Sequence, residues 1–426
     1  MRISGFAALL ASTALACGGP AGSATSAPQL ESANLSLQCA PGSGWERRAP
    51  SDLGMDAAKL QEALDWAIPH TTASAAVYRH GCLAGESSID PLTRNVPLDG
   101  WSMTKSVTSM LVGRAVTLGR LDIDEPIGSL VPQADDEHAR LTPRELLTMT
   151  SGLHGNYVRD FLAPLPDRVC DALALPFDHA PGTTWHYAQT TLDLLIYTVE
   201  RAIGEDIQQF AQEELFGRVG IPAGSWIWER DPHGHTNAWA HLHMPNGHWA
   251  RLGQLMLQGG VWNGERLISA DYVGQTLSRV ADNHAYGFLF WLNGGDWWRV
   301  PDVEGPDGGT GSVIPAGPPD MFMMVGLGEQ RTFIVPSRDL VIVRLGERGS
   351  HETDTRVTLW SGRPGEIDHE LVRRVLLAVN DVPYADPGPY HSAGTVLPPL
   401  DKGIVGDLQD VDSIVDGMTT PDCHAN

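Results

Sequence analysis

With 426 residues and ordinary apolar content, the chain can bury one large core or two intimate ones, which excludes a disordered or fibrous protein. Its 52 acidic and 29 basic residues leave a net charge of −23, which repels phosphate backbones and so excludes nucleic acid as a partner class. The 13 tryptophans accompany no aromatic or charge run and therefore belong in a core or a cleft.

The chain opens with a targeting pattern over residues 1–16. Arg2 is a lone positive charge, Phe6 to Leu15 is a short apolar run, and Ala14 and Ala16 are small residues ahead of Cys17. The run is too short to span a bilayer, so the expectation is export, with lipid on Cys17 as a membrane attachment or with plain secretion. An outer-membrane or periplasmic lipoprotein is the favoured form. Residues 17–44 then read as a tether. Cys39, Cys82, Cys170 and Cys423 remain, an even number that permits two disulfides in any of three pairings in an oxidising compartment. Free buried thiols are the bland alternative.

The ordered domain is expected over residues 45–385. Asp56 to Ile68 has apolar residues at helical spacing, and Ser74 to Tyr78 and Leu83 to Ile89, divided by His80-Gly81, read as a strand hairpin. Next comes Trp101-Ser102-Met103-Thr104-Lys105. Apolar residues at Met103, Val107, Met110, Leu111, Ala115 and Leu118 predict a helix with one buried face, stopped by Gly119. Ser102 and Lys105 then lie one turn apart at its head. An alcohol beside an amine is the minimum for an activated serine nucleophile, although Ser102 as a simple helix cap is the plainer reading of the tetrapeptide alone.

Further along, Thr142-Pro143-Arg144-Glu145 is a capping box. Tyr187 lies in a loop ahead of a helix with Leu192, Leu195, Ile196, Val199 and Ile203 on one side, a place from which a phenol can be presented to a cleft. Helices are also expected near Ile207 to Leu215 and Ala250 to Leu257. Met321 to Val325, Thr332 to Val335 and Leu340 to Leu345 read as strands, and Ile367 to Val379 as a helix. Residues 386–426 form a Pro- and Asp-rich tail whose expected fastening is Cys423.

Ser102-Met103-Thr104-Lys105, Tyr187-Ala188-Gln189 and the late Gly326-Leu327-Gly328, in this order, make the chain resemble the serine beta-lactamase-related hydrolases: class C beta-lactamases, D,D-peptidases, family VIII esterases and 6-aminohexanoate-dimer hydrolases. Leu146 to Leu153, Pro181-Gly182 and Leu252 to Leu257 match the same pattern. The resemblance implies an α+β, beta-lactamase/transpeptidase-like fold, an antiparallel sheet flanked by helices. Its sheet part would take about 45–95 and 285–385, with a helical part at about 96–284 inserted. It also implies Ser102 as nucleophile, Lys105 and Tyr187 as its proton partners, and the N–H groups of Ser102 and Leu327 as an oxyanion hole.

Substrate contacts would come from Gln189, Gly326, Met324 and Arg331. Met324 stands where the family carries a cation or hydrogen-bonding residue, so a neutral ester or linear amide is expected rather than a carboxylate-bearing substrate, unless the Arg331 guanidinium reaches the cleft. A small-molecule or peptide-like substrate and no cofactor are implied; a catalytically silent binding lipoprotein or a genuine beta-lactamase or D,D-peptidase is the competing reading. His233, His235, His241 and His243 form two His-x-His pairs with His248 behind. No metal is expected there, the four tryptophans Trp226, Trp228, Trp239 and Trp249 suggesting instead a loop over an apolar pocket.

Overall fold

The computed structural model describes residues 37–40, 42, 44–70, 72–156, 159–160, 165–299, 308–346 and 365–391, with 413, 415–416, 419 and 422–424 near the C-terminus. The expected export signal over residues 1–16, Cys17 and most of the expected tether lie outside these residues. Among the described residues no helix is long and apolar enough to cross a membrane.

Six antiparallel strands form the central sheet: β1 (Thr72–Arg79), β2 (Cys82–Glu86), β3 (Trp291–Leu292), β4 (Phe322–Gly326), β5 (Gln330–Val335) and β6 (Leu340–Gly346). Their spatial order is β2-β1-β6-β5-β4-β3, so the N-terminal hairpin joins the C-terminal meander through β1 and β6, with Val77 opposite Ile342. Side chains alternate across the sheet, and both faces are covered, which is why these strands read as nearly continuous apolar runs. On one face lie α1 (Ala57–Ala67) and α6 (Glu366–Ala378), whose Asp368 meets Arg331 of β5. On the other lie α2 (Met103–Thr117) and α5 (Asn246–Leu257). Thr332, the next residue of β5, contacts Met103 there, and a Cβ at Gly253 would stand 2.9 Å from Thr332. The inserted helical region includes α3 (Arg168–Ala174) and α4 (Thr191–Ile203).

α2 departs from the one-faced helix expected. Every residue from Met103 to Ala115 is buried. The polar residues tolerate this because each hydroxyl finds a partner on a neighbouring segment: Ser106 donates to Leu289 O at 2.7 Å, Thr108 to Ala238 O at 2.7 Å, and Thr104 accepts from Leu242 N–H at 3.2 Å. The helix ends in a Schellman motif, with Gly119 at φ 69° and Arg120 N–H donating to Ala115 O.

The thiols are paired as Cys39–Cys82 and Cys170–Cys423. The tail is held at more places than Cys423. Asp386 receives Arg373 Nε at 2.5 Å, and the His369 ring lies 3.0 Å from Gly388 O.

Candidate active site

The N-terminus of α2 brings Ser102 and Lys105 together. Lys105 Nζ stands 2.9 Å from Ser102 Oγ and 3.0 Å from the Trp239 carbonyl. Ser102 occupies the N-cap position, yet its hydroxyl caps no backbone N–H, so it is available for the amine. Tyr187 arrives from the loop before α4 and hydrogen-bonds Ser102, and its ring lies beneath the ammonium position at 4.8 Å. The three side chains thus converge from segments far apart in sequence.

Burial sets their proton affinities. It pushes Lys105 well below the ordinary lysine value, against the opposing charges of Asp160 and Asp193. It pushes the Tyr187 phenol above its ordinary value, opposed by the Ser102 hydrogen bond and Arg331. Asp193 is itself raised to about 7 by burial, with Arg168 and the Ala238 N–H working the other way. The site can therefore hold a neutral amine beside an alcohol and a protonated phenol.

The backbone ahead of the serine is constrained. Trp101 has φ 46°, an uncommon value for a bulky residue, and its N–H donates to Asp99 Oδ1 at 2.7 Å. The other carboxylate oxygen is 2.7 Å from His241 Nδ1, and the His241 ring meets Trp101 edge-on at 5.0 Å. Asp99 thus holds the corner from which Ser102 projects.

The remaining sequence candidates divide. Gly326 ends β4 against this corner: a Cβ there would lie 2.2 Å from Gly100 O, so only glycine allows the approach. Leu327 follows in the turn, half-buried. Gln189 is buried, and its Oε1 has no hydrogen-bond partner among the described residues. Met324 is fully buried in the core.

Arg331 is a correction. It lies within the core, where Nε contacts Asp368 Oδ2 at 3.0 Å and the other guanidinium nitrogens meet Gly326 O and Glu329. A guanidinium so engaged is not displayed to substrate. The buried acid that holds Arg331 is supplied by α6, out of reach of any local pattern in the sequence.

The expected tryptophan pocket is also redistributed. Trp239 and Trp249 are core residues, and Trp226 packs against Phe216 at 5.2 Å and lines a separate cavity of about 600 Å³ that contains none of Ser102, Lys105 or Tyr187. The aromatics next to Tyr187 are Trp185, Tyr286 and Trp291, with ring centroids at 6.1, 6.1 and 6.0 Å. Sequence reading missed Asp193, Asp160 and the Trp239 carbonyl. Only an aspartate on the buried stripe of α4 hinted at the first.

A model of the beta-lactamase family matches residues 65–359. The chain belongs to the beta-lactamase family. The chain is 29% identical over 166 residues to the monacolin J acid methylbutanoyltransferase of Aspergillus terreus, covering 32% of this chain and 39% of that one. It is 26% identical over 242 residues to acyltransferase calJ of Penicillium decumbens, covering 47% and 57%. These matches span less than two thirds of either relative. Among solved structures, a putative 6-aminohexanoate-dimer hydrolase from Bacillus anthracis aligns with a TM-score of 0.58 at 15% identity, covering 80% of this chain and 88% of that one. A family VIII carboxylesterase aligns at 0.54 and 16%, covering 75% and 97%. At such identities the likeness establishes the shared family fold.

Proposed function

We propose that the protein is an acyl-serine enzyme that takes the acyl group of a neutral ester or linear amide onto Ser102 and releases it to water. One observation carries this reading: the buried Lys105 amine, with its affinity for protons lowered, stands 2.9 Å from Ser102 Oγ. A neutral amine can donate to Trp239 O while turning its lone pair to the serine O–H. Lys105 then accepts the hydroxyl proton as Oγ bonds to the substrate carbonyl carbon. The oxyanion rests on the Ser102 and Leu327 N–H groups, and as the bond to the leaving group breaks, the Tyr187 phenol passes a proton to it, replenished from Lys105. Attack by water reverses the sequence and frees the serine.

Substrate class follows from charge. Met324 supplies no cation, Arg331 is held by acids, and a net charge of −23 repels anions at a distance. The aromatics around Tyr187 favour an apolar acyl chain. Two relatives named as acyltransferases support a variant of the same chemistry in which an alcohol replaces water in the second half-reaction. The two disulfides fit an oxidising compartment, and with the leader pattern they favour export, with lipid on Cys17 as the anchor.

A fluorophosphonate probe should label the protein and fail to label Ser102→Ala. A short-chain p-nitrophenyl ester should be turned over with kcat/KM well above that for nitrocefin. Added short alcohols distinguish the two fates of the acyl group by the ester they form. Efficient nitrocefin turnover with little esterase activity would sink the substrate assignment.

A further inference from the structure

The fold separates the two His-x-His pairs. His241 faces Asp99, and His243 lies 3.0 Å from Glu229. His233 and His235 turn instead to Asp167, the residue before α3, where His424 from the C-terminus joins them. His424 Nε2 is 3.1 Å and His233 Nδ1 3.2 Å from Asp167 Oδ2. His235 Nε2 is 3.7 Å from Oδ1 and 3.3 Å from His424 Nε2.

These separations have a specific meaning. Ligand atoms about 2.0–2.1 Å from a tetrahedral Zn²⁺ stand roughly 3.3 Å from one another. Hydrogen bonding accounts for only part of the same arrangement. His235 and His424 can share one N–H between their rings, but Asp167 Oδ2 is buried and accepts no well-aligned hydrogen bond although two ring nitrogens stand beside it. Lone pairs converging on one cation would satisfy every member at once.

The surroundings fix the ligands as metal sites require. Asp167 Oδ1 is occupied by the Val169 and Cys170 N–H groups at 3.0 and 2.9 Å, which orients the carboxylate and leaves Oδ2 turned to His424 and His233, with His235 on the side of Oδ1. His424 follows Cys423, whose disulfide to Cys170 delivers it to the cluster. The Gln133 side-chain amide lies 3.3 Å from His424 Nδ1, and the Tyr197 ring packs against both His235 and His424.

We propose that Asp167, His235 and His424 bind Zn²⁺. Three positions are then filled by protein and the fourth is left to water. The ion fastens the C-terminus to the inserted helical region beside the disulfide. It takes no part in the chemistry at Ser102.

The test uses the full mature chain without an affinity tag, stripped with chelator and titrated with Zn²⁺. A single equivalent should bind and raise the Tm. Co²⁺ in its place should show the intense visible bands of four-coordinate geometry. His235→Gln and His424→Gln should each weaken binding at least 100-fold and abolish the Tm shift, whereas His243→Gln should change neither. Absence of binding by the wild-type protein, or binding undiminished in both ligand variants, overturns the proposal.

Discussion

Arg331 Nε meets Asp368 Oδ2 at 3.0 Å, and both side chains are sealed from solvent, so β5 is tied to α6 by an ion pair inside the core. Removing one partner leaves the other charged and buried. Arg331→Ala or Asp368→Ala should therefore lower the unfolding free energy by about 3–5 kcal/mol, read by urea denaturation. A stable Arg331→Ala protein that changes only its preference among substrates would show that the guanidinium faces the cleft after all.

Ser102, Lys105 and Tyr187 share protons in one cluster, so their losses should not add. Ser102→Ala and Lys105→Ala should each remove nearly all ester hydrolysis, and the double variant should be scarcely worse than either. Losses that multiply would mean that the residues act independently.

Lys105 must be neutral to accept the serine proton, and its proton affinity is lowered by burial. The acid limb of kcat/KM should rise with pH as that proton leaves, and then level. Asp193 raises the affinity through its charge, so Asp193→Asn should move the limb to lower pH. A limb that stays in place would remove Asp193 from the electrostatics of the site.

Asp193 also makes a separate prediction about stability. Its folded pKa is about 7, above the ordinary carboxyl value, so between about pH 4 and 7 the folded state holds the proton more tightly than the unfolded chain. The stability it contributes is present below that window and lost as pH rises through it. Asp193→Asn should thus be close to wild type at pH 4 and more stable at pH 8, by up to about 4 kcal/mol on the scale of 1.4 kcal/mol per pKa unit. Parallel stability curves for the two proteins would contradict it.

Gly326 supplies a test with a steric origin. A methyl group there meets the Gly100 carbonyl at 2.2 Å, and backbone cannot yield as a side-chain tip does. Gly326→Ala should push the β4–β5 turn away from Ser102 and cost ~10²-fold or more in kcat, the usual loss for one oxyanion donor. Unchanged kcat would place the hole elsewhere.

The features legible in the sequence were those with a local signal. Helical spacing located α1 and α6 to within a residue or two, the Thr142–Glu145 capping box forms as expected, and Ser102 and Lys105 face each other because they lie one turn apart. What stayed hidden depends on partners distant in the chain. Thr104, Ser106 and Thr108 look like a wet face until Leu242, Leu289 and Ala238 are brought to them. Arg331 reads as a cation for the cleft until Asp368 is set beneath it, and the His233–His235 pair reads as part of a loop over a pocket until His424 returns from the far terminus.

The pairing of β1 with β6 constrains how the chain reaches this state. Val77 pairs locally with Gly85 of β2, but its other neighbour is Ile342, so the centre of the sheet stays open until almost the whole domain has been synthesised. Long loop closures of this kind slow folding and leave the β1 hairpin with an unpaired edge in the interval. Under the export proposed above, the delay is useful: no finished sheet can form ahead of the last strand to jam passage through a narrow translocation pore.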